Sequence, residues 1–234
     1  MCRKQITPIN NNGSKHVSNP TQKTITERFL DHAVNGFNLA DQHGVDSNWY
    51  NHAREQVRTV AKIYNLPEEY TSGVIAVLSA NCSVSVNIDR SHRYFEGQEV
   101  EFSGKLADEY SRRYAATGDP AIYSKGTWST TDKTNEFRLN ICPTYGPEND
   151  HRITVDRHIA DGATGVTSTT LNDTLRYRCI VGVRRVAKIL GVSNCHTQAL
   201  IWYSVRDSKG HSDPFSFFNI GDVISERLRF AEVS

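Results

Sequence analysis

The sequence predicts a mainly α-helical fold, and three observations predict it. From Thr24 onward apolar residues recur at helical rather than alternating spacing, most segments carry recognisable helix starts or stops, and strand signals are few. A chain of 234 residues with 38% hydrophobic content can bury an ordinary globular core. The expectation is a single mainly helical domain over residues 24–234, with room for two lobes. Residues 1–23 are polar and Asn-rich, lack the apolar stretch of a signal peptide, and read as a disordered tail.

The elements follow in order. Trp49, Ala53, Val57, Val60, Ala61 and Tyr64 share one helical face, and Asn65 and Pro67 end that helix. A second helix starts at Pro67, sets Glu68 and Glu69 in its first turn against the helix dipole, and carries Tyr70, Val74, Ile75, Val77 and Leu78. Its apolar density predicts deep burial. Further helices are expected over 85–95, 104–116, 120–124, 131–141, 171–190 and 195–206. The Gly- and Pro-containing links at 116–120, 143–150 and 209–214 are too short to separate domains.

Composition narrows the function. A formal charge of +1 excludes a strongly basic coat for a polyanion while leaving room for a local cationic face. The five cysteines, Cys2, Cys82, Cys142, Cys179 and Cys195, are an odd, scattered set with no C-x-x-C pair. Neither a disulfide framework nor a zinc or iron–sulfur site is implied, so no metal or cofactor is expected, and a reducing, cytoplasmic setting fits. No apolar run approaches membrane-spanning length, so a membrane is not expected among the partners.

The most informative segment is 153–159, Ile-Thr-Val-Asp-Arg-His-Ile. Thr154 and Val155 favour extended backbone, and the residues from Arg157 to Ala163 can start a helix, so Asp156 falls at or near a helix N-terminus. A carboxylate there is either a cap or a catalyst.

Three segments in order resemble the helix-hairpin-helix DNA glycosylase superfamily typified by endonuclease III. Residues 73–81, Gly-Val-Ile-Ala-Val-Leu-Ser-Ala-Asn, followed by Val-Ser-Val-Asn at 84–87, are similar to an early buried helix ending in Leu-Leu-Ser-Ala-Gln with a following Val-x-x-Asn. Residues 133–140, Lys-Thr-Asn-Glu-Phe-Arg-Leu-Asn, resemble the helix after the hairpin, and 153–159 resemble the Val-Asp-Thr-His-Val segment. Together they cover about the middle of the chain; each is short, and their specificity lies in their joint order. The segment Gln198 to Trp202 is similar to small bacteriophage proteins, and the resemblance therefore implies a divergent, phage-encoded member whose setting is the host cytoplasm.

The resemblance implies a helix-hairpin-helix glycosylase-like domain acting on DNA bases. Asp156 falls on the catalytic carboxylate, Lys133 on the position of the amine nucleophile, and Asn81 on an amide that fills the gap left by an extruded base. Asn87, His158, Trp49, Tyr50 and Trp128 are candidate substrate contacts, since a flipped base needs an aromatic-lined pocket. The departures are specific. Glycosylases carry a Leu-Pro-Gly-Val-Gly hairpin whose bare amides grip a DNA phosphate, whereas this chain has Thr-Trp-Ser-Thr-Thr-Asp at 127–132. The hairpin is degenerate, and Asp132 would repel a phosphate there. The four-cysteine cluster of endonuclease III is also missing.

The chemistry suits these residue types. Breaking a base-to-sugar bond builds positive charge on the deoxyribose, which a fixed carboxylate stabilises while orienting the attacking nucleophile. A lysine can instead attack the sugar carbon and leave a Schiff base. Against this stand plainer readings: Asp156 as a cap, Lys133 as a solvated residue, Asn81 and Asn87 as caps of helix ends, His158 as a structural group, Trp49 and Trp202 as core. Arg176, Arg178, Arg184, Arg185 and Lys188 on one helix are phosphate ligands or a solvated face. The leading expectation is a DNA N-glycosylase for a modified or damaged base. A phage base-hypermodification enzyme on a modified pyrimidine and a catalytically silent DNA-binding module are the alternatives.

Overall fold

The computed structural model describes residues 20–44, 47–79, 82, 84–101, 103–120 and 131–211. All regular structure among them is helical. The α-helices are α1 Gln22–Gln42, α2 Trp49–Ile63, α3 Glu68–Leu78, α4 Val84–Phe95, α5 Gly104–Thr117, α6 Thr131–Ile141, α7 Arg157–Thr164, α8 Asp173–Leu190 and α9 Asn194–Ser208.

Local chemistry sets the boundaries. Thr21, Asn172 and Ser193 accept from backbone amides three residues on and cap α1, α8 and α9. The start of α1 corrects the expected tail, because Gln22 and Lys23 are already helical. Arg178 donates to the Pro20 carbonyl and Gln22 to that of Arg178, which ties this start to α8. The expected link at 143–150 is a 3-10 helix, Pro143–Asn149, broken at Gly146 with φ 47°. Pro120 lies in a turn, and the rest of the helix expected at 120–124 is outside the described residues.

The helices fall into two groups. α1, α7, α8 and α9 pack on one another around Ile25, Phe29, Ile159, Val183 and Leu200. α1 and α9 approach closely at Gly36, where a Cβ would sit 2.3 Å from the Leu200 carbonyl oxygen, so α1 can meet α9 this closely only with glycine there. In the other group α3 contacts α2, α4, α5 and α6, with Val74, Leu78, Ala107 and Tyr110 buried between α3 and α5. The deep burial expected of α3 is observed: Thr71 through Leu78 are all buried. α2 also contacts α9, and an aromatic cluster with Trp49, Tyr50, Ile141 and Tyr203 lies where the groups meet. The site lies at this junction.

Candidate functional site

A cavity of about 710 Å³ opens between the two groups. That is within the roughly 300–1,000 Å³ usual for small-molecule sites. Three helices each present a stripe at i, i+4 and i+8: Trp49, Ala53 and Val57 from α2, Lys133, Phe137 and Ile141 from α6, and Gln198, Trp202 and Arg206 from α9. Asn87 of α4 and the consecutive residues Asp156, Arg157 and His158 complete the part that concerns chemistry.

Asp156 is placed by the extended segment before α7. Ile153 and Val155 are buried in the α1/α7/α8/α9 core, which turns Thr154 the other way, where its hydroxyl accepts from Asn140 Nδ2 at 3.2 Å. Upstream, Arg54 is 6% exposed and holds the Asp150 carboxylate at 2.5 Å and the Asn140 carbonyl at 3.0 Å. Asp150 in turn accepts from the Cys195 thiol and, through its carbonyl, from the Cys195 amide. The segment is therefore anchored to α2, α6 and α9 before it reaches the carboxylate.

Asp156 is both cap and cavity residue. Its Oδ1 accepts from the Ile159 amide at 3.0 Å, capping α7, and its Oδ2 accepts from Trp202 Nε1 at 3.2 Å. Two donors from different elements fix the plane of the carboxyl group, which borders the hollow. The rings of Trp202, Trp49 and Phe137 continue from there as one wall, with centroids 6.4 and 6.0 Å apart. Lys133, one turn before Phe137, lines the same cavity.

Neutral hydrogen-bonding groups occupy the wall as well. The Tyr50 hydroxyl donates to Gln198 Oε1 at 2.5 Å, which orients the Gln198 amide with Nε2 as its remaining donor group. Burial, with Cys195 adding to it, pushes the Tyr50 phenol well above its ordinary value, so it acts as a donor and not as an anion. Asn87 lies inside α4 and does not cap it, which corrects the capping alternative. It is 4% exposed, and among the described residues its Oδ1 has no hydrogen-bond partner.

His158 is held neutral. Burial, followed by Lys209, Arg206 and His211, lowers its pKa to about 4 against the pull of Asp156. Lys209 Nζ stands 3.1 Å from His158 Nδ1 and 2.5 Å from Asp161 Oδ2. An ammonium can only donate, so Nδ1 accepts and the imidazole proton resides on Nε2. Burial works against ionising Asp161, but Lys209 and Thr169 outweigh it and hold the carboxyl below its ordinary value. The four described cysteines are free. Burial raises each thiol, Cys179 and Cys195 to about 12, and Cys82 at the cavity is raised as well, so none is a ready nucleophile.

A family profile matches residues 15–209 of the chain. The chain belongs to DUF7178, a family of unknown function. No curated protein matches it. No solved structure matches it either. The described part of this DUF7178 member contains no group of three His, Cys, Asp or Glu side chains suited to a metal ion. No described helix is long and apolar enough to cross a membrane.

Of the residues singled out from sequence, Asp156, Lys133, Asn87, His158, Trp49 and Tyr50 line this one cavity. Asn81 and Trp128 lie outside the described residues. The arginine-rich helix α8 does not contribute to the cavity; Arg184, Arg185 and Lys188 are exposed on its outer side. Sequence reasoning missed Gln198 and Arg206 and assigned Trp202 to the core alone. Their i, i+4, i+8 spacing was a visible signal, since an amide, an indole and a guanidinium on one face are unusual for a stripe that packs.

Proposed function

We propose that this DUF7178 chain is a DNA-base-active enzyme, a divergent relative of the helix-hairpin-helix glycosylases that cleaves the bond between a modified or damaged base and its deoxyribose. One observation carries this reading. Asp156, the residue onto which the family's catalytic carboxylate falls, borders a cavity of about 710 Å³ with an aromatic wall and is clamped by the Ile159 amide and the Trp202 indole. The joint order of three short motifs in sequence and the meeting of their residues at one hollow support each other.

In this mechanism the extruded base enters against the wall of Trp202, Trp49 and Phe137. As the glycosidic bond breaks, its electron pair leaves with the base and positive charge grows at the sugar C1′. The Asp156 carboxylate stabilises that charge and takes up or orients the proton of an attacking water. Because its donors already fix its plane, the group need not reorganise during the reaction. His158 contributes Nε2–H as a neutral donor. A lyase version routes the attack through Lys133, whose amine forms the new bond to C1′ and then a Schiff base.

The test is to incubate the purified chain with single- and double-stranded oligonucleotides bearing uracil, hydroxymethyluracil, oxidised purines or normal bases. Base release followed by alkali-sensitive breaks is the expected outcome. A mass change on an intact base would replace it with the base-modifying reading, and a mobility shift without product with the silent binder. Asp156→Asn should lower turnover by at least about 10²-fold, the low end for losing a positioned acid–base group. Borohydride trapping that persists in Lys133→Ala would remove that lysine from the mechanism.

A further inference from the structure

Two amides line the cavity with hydrogen-bonding capacity left over. Asn87 of α4 is 4% exposed, and among the described residues nothing donates to its Oδ1. A buried carbonyl oxygen without a donor is costly, so one kept in a cavity wall points to a ligand that supplies the donor. Gln198 of α9 is 5% exposed. Its Oε1 accepts from the Tyr50 hydroxyl, so what it offers a ligand is the donor group Nε2.

A chain of hydrogen bonds sets the direction of the Gln198 amide. Asn140 Nδ2 donates to the Thr154 hydroxyl at 3.2 Å, and the Thr154 side chain hydrogen-bonds the Tyr50 phenol. An amide nitrogen only donates, so the protons run one way, from Asn140 through Thr154 and Tyr50 to Gln198 Oε1. Turning the Gln198 amide over would set Nε2 against the Tyr50 proton and break the end of this chain. Asn87 and Gln198 come from the two groups of helices that bound the hollow, and their chain neighbours Ile88 and Ala199 belong to one core cluster with Tyr50.

We propose that Asn87 and Gln198 read the edge of the extruded base, and that this edge is the C2=O, N3–H, C4=O face of a 2,4-dioxopyrimidine, the uracil and thymine class. The inference rests on reading the hollow as a base pocket. Asn87 Oδ1 accepts from the imide N3–H, Asn87 Nδ2 donates to one flanking carbonyl, and Gln198 Nε2 donates to the other. Donor, acceptor and donor then alternate along the wall and keep like partial charges apart. Cytosine, with two acceptors followed by an amine, would need the two amide NH2 groups side by side. Guanine has one acceptor followed by two donors, so one of its N–H groups would face an amide N–H. The aromatic wall of Trp202, Trp49 and Phe137 stacks on any base, and the edge makes the choice. C5 takes no part in the edge, so pyrimidines substituted there belong to the same class.

The full-length chain is titrated with single-stranded oligonucleotides that carry one base among abasic spacers. That base stands on a 2′-fluoro sugar, whose electron withdrawal at C1′ keeps the glycosidic bond intact. Uracil and thymine should bind at least about tenfold more tightly than N3-methyluracil, cytosine, guanine or 8-oxoguanine, the effect of one unmet hydrogen bond. Asn87→Leu should bring uracil down to the level of N3-methyluracil, and Gln198→Met should narrow the gap between uracil and cytosine. Cytosine, N3-methyluracil or 8-oxoguanine bound by the unaltered chain as tightly as uracil overturns the proposal. So does an Asn87→Leu variant that loses the same factor for every base, since Asn87 would then serve packing alone. The comparison of bases needs no variant, and it decides the matter if Asn87→Leu does not fold.

The edge and the enzymatic reading fail separately. Uracil-selective binding without base release from ordinary deoxyoligonucleotides sinks only the catalysis. Base release that is indifferent to methylation at N3 sinks only the edge. Binding that ignores whether a base is present at all sinks both.

Discussion

At the scale of the residue, Asp156 illustrates how one side chain holds two roles. Asn at this position still caps a helix about as well as Asp, so replacing Asp156 by Asn would be nearly silent for stability if capping were its whole task. Trp202 adds a second donor, and the single acceptor oxygen of Asn can serve the Ile159 amide or the indole but not both. Thermal or denaturant unfolding should therefore show a loss on the order of 1 kcal/mol, the usual net value of one hydrogen bond. A loss of several kcal/mol would assign the carboxylate chiefly to structure. His158 gives a pH prediction. Its folded pKa, about 4, lies below the ordinary 6.5, so the unfolded chain binds the extra proton first as pH falls. The stabilisation is fully present above 6.5 and is lost progressively toward pH 4. Unfolding midpoints measured across that window should fall with pH in the wild type and fall less steeply in His158→Asn. Asp161 acts in a lower window: with its pKa held below 3.8, its contribution is lost only in stronger acid.

At the scale of the element, what the sequence disclosed was periodicity, and what it hid was contact. The face of α2 from Trp49 to Ala61 and the burial of α3 were readable because apolar spacing and the Glu68–Glu69 first turn are local signals. Asp156 at the start of α7 was readable for the same reason. The partners of these elements were not, since the Trp202 indole reaches Asp156 across 46 residues and the Tyr50 hydroxyl reaches Gln198 across 148. Nothing in local propensity encodes such distances. The capping alternative for Asn87 failed because the helix starts three residues before it, at Val84, and carries the amide into the cavity wall. Gly36 shows how a long-range constraint appears in sequence as a single residue. Gly36→Ala places a methyl group where the Leu200 carbonyl oxygen stands, and because α9 carries Gln198 and Trp202, pushing it away also moves the site. Chemical denaturation should register a loss of about 1–3 kcal/mol, typical of overpacking, despite the higher helix propensity of alanine. An unchanged or raised midpoint would mean that α1 and α9 part without cost.

At the scale of the whole molecule, the cavity is a junction and not a hole within one core. α2, α4 and α6 supply one side, and α7, α9 and the segment before α7 supply the other. The direct helix contacts between the groups are few compared with those inside each, so the junction relies on α2 against α9 and on the Arg54–Asp150 anchor. A ligand filling the hollow would touch both groups at once and couple their opening. This distinguishes a base pocket from an anion-binding surface on one face. With Asp156→Asn to suppress turnover, saturating single-stranded oligonucleotide should slow amide hydrogen exchange in α4 and α6 together with α7 and α9. At a ligand concentration of about 100 times Kd the linked stabilisation is about 2.7 kcal/mol, large enough to slow exchange through cooperative opening roughly a hundredfold. Protection confined to α7 and α9 would place the nucleic acid on one face and remove the base from the cavity. Protection confined to α8 would move the nucleic acid to the outer arginine-rich face, where Arg184, Arg185 and Lys188 are exposed, and the pocket would then lose its ligand.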